Sequence, residues 1–135
     1  MILVDTSAWV EYDRATESVV DRYLTDLITH NADIAVTEPV MMEVLAGAKG
    51  DSAAGRLRRL LFSFDWIASD AQADFEAAAK VYRACRSGGV TPRGLIDCMI
   101  ASIAIRSGAR VLAADGDFKR MAGIIPLPIE PIPDR

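Results

Sequence analysis

Short apolar runs, each stopped by a turn former and followed by a helical pattern, constrain this chain more than any other feature. Ile2-Leu3-Val4, Ile34-Ala35-Val36 and Val111-Leu112-Ala113-Ala114 are too short for helices and too continuous for half-exposed strands. They read as buried strands, with Trp66-Ile67-Ala68 and Ile124-Ile125-Pro126-Leu127 as further candidates. Between them the spacing turns helical. A short helix carries Trp9, Val10 and Tyr12, with Ser7 as its expected cap, and a longer one carries Val19, Val20, Tyr23, Leu24, Leu27 and Ile28. Thr37 is placed to cap a helix reaching about Ala48, and further helices are expected over 52–64, 70–86, 95–107 and from Asp117 through Met121. Segment 87–94, Ser-Gly-Gly-Val-Thr-Pro-Arg-Gly, is the clearest loop. Strands alternating with helices predict an α/β fold in three layers around a parallel sheet.

The 135 residues suit one domain, taken as 1–135. No apolar stretch approaches the roughly 20 residues of a membrane span, and the first run carries Asp5 without a basic segment, so no secretory signal is expected. Cys85 and Cys98 lack zinc-ligand spacing and read as reduced thiols, which suits a cytoplasmic protein. The net charge of −4 argues against broad nucleic-acid binding, although a cation-binding site would itself supply part of it. Arginines gather at 56, 58 and 59, at 83, 86 and 93, and at 106 and 110. Singly they read as solvated helix faces; as groups they are candidates for phosphate or an acidic partner.

Four acids then stand out. Asp5 and Asp115 close apolar runs, while Glu43 and Asp97 interrupt Val40–Leu45 and Leu95–Ala101. An ionised carboxylate among apolar neighbours costs several kcal/mol unless paired. No Lys or Arg lies at helical spacing from Glu43, and the nearest cation to Asp97 in sequence is Arg93. Strand carboxyl ends share one edge of a parallel sheet, where Asp5 and Asp115 would meet. Asp97 falls in a first helical turn, where the helix dipole favours an anion. The economical reading is that the four meet and share divalent cations. Clustered carboxylates repel, and all-oxygen ligation suits Mg²⁺ or Mn²⁺ better than Zn²⁺. Such a centre activates water and stabilises charge on a phosphoryl group. Taken singly, Asp5 and Asp115 are equally well explained as turn residues, Asp117 as a helix cap, and Glu43 as the partner of a distant arginine.

The motifs Val4-Asp5-Thr6-Ser7, Glu43 after Glu38-Pro39-Val40, Leu95-Ile96-Asp97-Cys98-Met99-Ile100-Ala101 and Asp115-Gly116-Asp117-Phe118 resemble the PIN-domain ribonucleases, most closely VapC-type toxins of toxin–antitoxin pairs. The resemblance covers essentially the whole chain, with the motifs in order. It implies a three-layer α/β/α PIN-like fold with a mostly parallel sheet of four to five strands. It also implies a Mg²⁺- or Mn²⁺-dependent endoribonuclease, commonly a homodimer, inhibited by a VapB-type antitoxin. Asp5, Glu43, Asp97 and Asp115 match the acidic quartet, Asp117 a further assisting acid, and Thr6 and Ser7 small hydroxyl residues beside the first aspartate. Ala113 departs from the Thr or Ser of many members.

On this reading Asp5, Asp97 and Asp115 hold an ion, with Glu43 and Asp117 completing the site or forming a second one. Metal-activated water would hydrolyse an RNA phosphodiester, and Arg93, Arg83 and Arg86 are candidates for gripping substrate phosphate. A metal-free route through the RNA 2′-hydroxyl usually takes two histidines, and the chain has only His30. The rival readings are a Mg²⁺-dependent phosphatase and a non-catalytic adaptor or RNA-binding module. The haloacid-dehalogenase type needs a second acid where Ser7 stands, and a phosphoacceptor receiver expects paired acids after the first strand.

Overall fold

A computed structural model describes residues 1–133. Asp134 and Arg135, the last two residues of the expected single domain, lie outside the described residues. The chain runs β1 (Ile2–Val4), α1 (Thr6–Asp13), α2 (Val19–Thr29), β2 (Ile34–Val36), α3 (Glu38–Ala46), α4 (Asp51–Leu61), β3 (Asp65–Trp66), α5 (Ala71–Ser87), α6 (Leu95–Ser107), β4 (Arg110–Leu112) and α7 (Asp117–Ala122). The four strands form one sheet in the order β3-β2-β1-β4, every pairing parallel. β1 is central: Leu3 pairs with Ala35 on one side and Val111 on the other. A strand flanked on both edges and both faces admits no polar side chain, and β1 and β2 are buried at every position. Helices cover the sheet, giving the α/β/α layering that the alternating pattern predicted.

α6 is the most deeply set helix, buried continuously from Cys98 to Ala104. Its one internal polar group, Ser102 Oγ, donates back to the Cys98 carbonyl at 2.8 Å. The helix ends at Gly108, whose φ of 70° is the left-handed conformation that a residue with a Cβ avoids. α5 packs along α6 and is pinned there by an ion pair between the exposed Arg106 and the buried Asp74. Arg106 Nε and Nη2 donate to Asp74 Oδ1 and Oδ2 at 2.9 and 2.8 Å, and Nη2 also reaches the Ala68 carbonyl at 3.0 Å.

Two expectations fail here for identifiable reasons. No strand forms over 124–127, because Pro126 has no N–H to donate and Ile125 and Leu127 instead turn inward as core residues. The pairing comes later: Ile129 bridges Val111 in parallel, with the Val111 N–H on the Pro128 carbonyl and the Glu130 N–H on the Val111 carbonyl. The helix caps differ too. Asp5, not Ser7, is the N-cap of α1, accepting the Ser7 N–H. Thr37 does hold the N-cap position of α3, as expected, but without a side-chain capping hydrogen bond; its hydroxyl is directed to Glu38 Oε1 at 3.4 Å. No helix among the described residues is long and apolar enough to cross a membrane.

Candidate metal centre

Five acids come together at the carboxyl edge of the sheet. Asp5 leaves β1 with its N–H on the Leu112 carbonyl at 2.8 Å, which ties it to the end of β4. It is only 4% exposed. Its Oδ2 accepts the Ser7 N–H at 3.0 Å and the Ser7 hydroxyl at 2.7 Å. The Ser7 oxygen in turn accepts the Ala114 N–H at 2.9 Å, so one hydroxyl links the first aspartate to the segment that carries Asp115. Thr6 Oγ1 donates to Glu43 Oε1 at 2.7 Å and aims that glutamate from the middle of α3. Asp97 enters from the first turn of α6.

Oxygens of Asp5, Glu43 and Asp97 lie within 4.8 Å of one another. The electrostatics match that crowding. Burial, with the Asp5, Glu43 and Asp115 charges behind it, pushes the Asp97 carboxyl up to about 6, although Arg93 pulls the other way. Burial and then the Glu43 charge also raise Asp5, against the hydrogen bonds from Ser7. Asp5 Oδ1 is buried without a hydrogen-bond partner, and no ion pair reaches Asp5, Glu43 or Asp97 among the described residues. A buried anionic oxygen with no donor, beside two more carboxylates, is a donor set that a hard divalent cation completes.

The grouping differs in detail from the expected Asp5–Asp97–Asp115 set. Glu43 is the third member of the tight group, and Asp115 stands outside it, close enough to raise Asp97 electrostatically. Asp115 Oδ1 accepts the Asp117 N–H at 3.1 Å, and its Oδ2 lies 3.9 Å from Arg93 Nη1. Asp117 is not a cap; Gly116 holds that position, and the Asp117 carboxylate faces Arg93 and Arg120. Arg120, absent from the residues expected at the site, stands at i,i+3 from Asp117, a spacing the sequence displays.

The other arginines disperse. Arg83 is exposed on α5, and Arg86 donates to the Tyr82 hydroxyl at 3.3 Å; neither forms an ion pair among the described residues. Arg106 serves Asp74, Arg110 serves Glu130 and Arg56 serves Asp13, which removes them from the phosphate-binding groups. His30 is exposed at the end of α2, its ring against the Asp26 carbonyl at 2.8 Å.

The family model of the PIN domain matches residues 2–124. The chain belongs to the PIN-domain family. This PIN domain is 46% identical over 125 residues to Ribonuclease VapC11 of Mycobacterium tuberculosis, covering 92% of this chain and 93% of the relative. A VapC ribonuclease of Mycobacterium bovis matches it equally well. Among solved structures, VapBC2 of Rickettsia felis bound to a promoter DNA fragment superposes with a TM-score of 0.75 at 24% identity, over 96% of this PIN domain and 98% of that chain. The sarcin–ricin-loop-cleaving toxin VapC20 of M. tuberculosis does so with a TM-score of 0.72 at 19% identity, over 95% and 99%. These likenesses extend the α/β reading across nearly the whole length of the PIN domain.

Proposed function

We propose that this PIN domain is a divalent-metal-dependent endoribonuclease and acts as the toxin of a toxin–antitoxin pair. One observation carries the proposal: the convergent Asp5–Glu43–Asp97 cluster, with its unpartnered Asp5 oxygen, in a chain so similar to named VapC ribonucleases. The ion is assigned as Mg²⁺ or Mn²⁺, because every donor is a carboxylate oxygen. Asp5, Glu43 and Asp97 would hold it, with Asp115 and Asp117 on the outer side. When bound, such an ion lowers the pKa of water and offsets charge developing on a phosphoryl group.

The remaining roles belong to the chain itself. Ser7 and Thr6 fix the directions of the Asp5 and Glu43 carboxylates through the two 2.7 Å hydrogen bonds. Asp97, its carboxyl at about 6, is mostly ionised at neutral pH and would offer a carboxylate to the cation. Arg93, at the rim beside Asp115 and Asp117, is placed to meet a substrate phosphate, with Arg83 and Arg86 as further contacts. The partners are RNA, a VapB-type antitoxin and a second copy of the chain, and the compartment is the cytoplasm. The VapBC complexes among the structural neighbours support the antitoxin assignment.

The purified chain should cleave RNA with Mg²⁺ or Mn²⁺ and stop when EDTA is added. Hydrolysis by water leaves 5′-phosphate and 3′-hydroxyl ends. Cleavage that persists in EDTA, or leaves 2′,3′-cyclic phosphate ends, would refute the proposal.

A further inference from the structure

The five acids divide into two sets by what faces them. On the inner side Asp5 and Glu43 accept only neutral donors, from Ser7 and Thr6, and Asp97 has no hydrogen bond among the described residues. On the outer side every carboxylate oxygen faces an N–H or a guanidinium. Asp115 offers Oδ1 to the Asp117 N–H and Oδ2 to Arg93 Nη1. Asp117 turns Oδ2 to Arg93 Nε, 3.5 Å away, and Oδ1 to Arg120. Arg93 approaches from the loop just before α6, so the helix that presents Asp97 to the inner set also positions the cation of the outer set.

A guanidinium and a divalent ion compete for a carboxylate because each draws on the same charge and lone pairs. We propose that Arg93 is a built-in competitor for Asp115: it holds that carboxylate back, so that a divalent ion is gripped first by Asp5, Glu43 and Asp97, and Asp115 joins when Arg93 is drawn away. This inference rests on the metal-site reading above and deepens it. Its consequence is linkage. Whatever pulls Arg93 outward tightens the ion, and the ligand chemistry suited to a guanidinium at this rim is the phosphate of an RNA substrate. Exposed ion pairs contribute little to stability, so the effect belongs to metal binding and not to melting temperature.

The test is Mn²⁺ binding to the purified full chain, by titration calorimetry at fixed ionic strength. The proteins are wild type, Arg93→Gln, Asp115→Asn and the double variant, with Arg59→Gln on α4 as a charge control and Asp97→Asn as a site control. Circular dichroism checks that each is folded. Arg93→Gln should bind Mn²⁺ about tenfold tighter, the size of one close charge coupling in a partly screened site, and Arg59→Gln within about twofold of wild type. Asp115→Asn should weaken binding less than about threefold alone but more than about tenfold in the Arg93→Gln background. Unchanged or weaker binding in Arg93→Gln, or an equal Asp115→Asn effect in both backgrounds, overturns the role of Arg93. Wild type that binds no Mn²⁺, or Asp97→Asn that binds it as well as wild type, overturns the metal-site reading and this inference with it. Loss of binding in Asp97→Asn with no response to Arg93→Gln removes this inference alone.

Discussion

Thr6 donates its hydroxyl proton to Glu43 Oε1 at 2.7 Å, so the residue just after Asp5 orients an acid delivered by a different helix. The bond crosses from α1 to α3 and joins the acids of the two helices into one cluster. Thr6→Val keeps the shape and removes the donor. A hydrogen bond to a charged group contributes about 1.5–3 kcal/mol. The expected outcome is therefore RNA cleavage lowered by at least about tenfold, with a melting temperature several degrees below wild type, read from initial rates with Mg²⁺ and a thermal scan.

Asp97 makes a prediction in which the sign matters. Its carboxyl stands at about 6 in the folded chain against an ordinary value of 3.8, chiefly from burial. The folded state therefore keeps a proton that the unfolded state releases. The stability tied to this group is fully present below about pH 4 and is lost as pH rises through about 6. Asp97→Asn should abolish cleavage. In EDTA it should also raise stability at pH 7.5 by about 1 kcal/mol, a figure reduced to allow for solvent screening of a half-buried group. Urea titrations at pH 5 and pH 7.5 check this. A variant less stable than wild type at both would show that the Asp97 charge is compensated within the apoprotein.

A second buried acid behaves oppositely. Burial acts to raise Asp74, but the Arg106 guanidinium and the Asp70 N–H outweigh it and hold the carboxyl below its usual range. Arg106→Met would strand Asp74, which is only 1% exposed, without its cation. The expected loss is about 1–3 kcal/mol, since Arg106 is exposed and Asp74 keeps the Asp70 N–H. Adding Asp74→Asn should recover part of it, measured by chemical denaturation of the single and double variants.

Arg83 and Arg86 project from the end of α5 without acidic partners among the described residues, which leaves them free for phosphate. If they contact RNA, Arg83→Gln/Arg86→Gln should weaken binding and flatten the slope of log affinity against log salt by up to about two units. Filter binding in EDTA, where cleavage is stopped, gives that slope directly. An unchanged slope returns both residues to surface solvation.

The inner acids were legible in the sequence because each interrupts or ends an apolar run without a nearby cation, so convergence on a metal was the economical explanation for Asp5, Glu43 and Asp97 alike. Asp115 was equally legible from the run it closes, but the pairing of the outer acids with arginine was not. Arg93 reaches Asp115 and Asp117 only because the loop before α6 and the turn after β4 meet in space, and apolar periodicity does not encode that meeting. The strands at β1, β2 and β4 followed from their continuity, whereas 124–127 was misread because apolar content alone does not reveal the lack of a donor at Pro126. The expectation that Ser7 caps α1 failed on a neighbour effect. Asp5 is the stronger acceptor at the cap and takes both the N–H and the hydroxyl of Ser7.

α6 is sealed from Cys98 to Ala104, and Asp97 is mounted at its head. A carboxylate carried on so enclosed a rod cannot be relocated without repacking the interior, so its position is effectively frozen for any sequence that keeps this architecture. Diversification of what is cut must then fall to exposed positions on the rim loops, such as Thr91, Ala114 and Arg93.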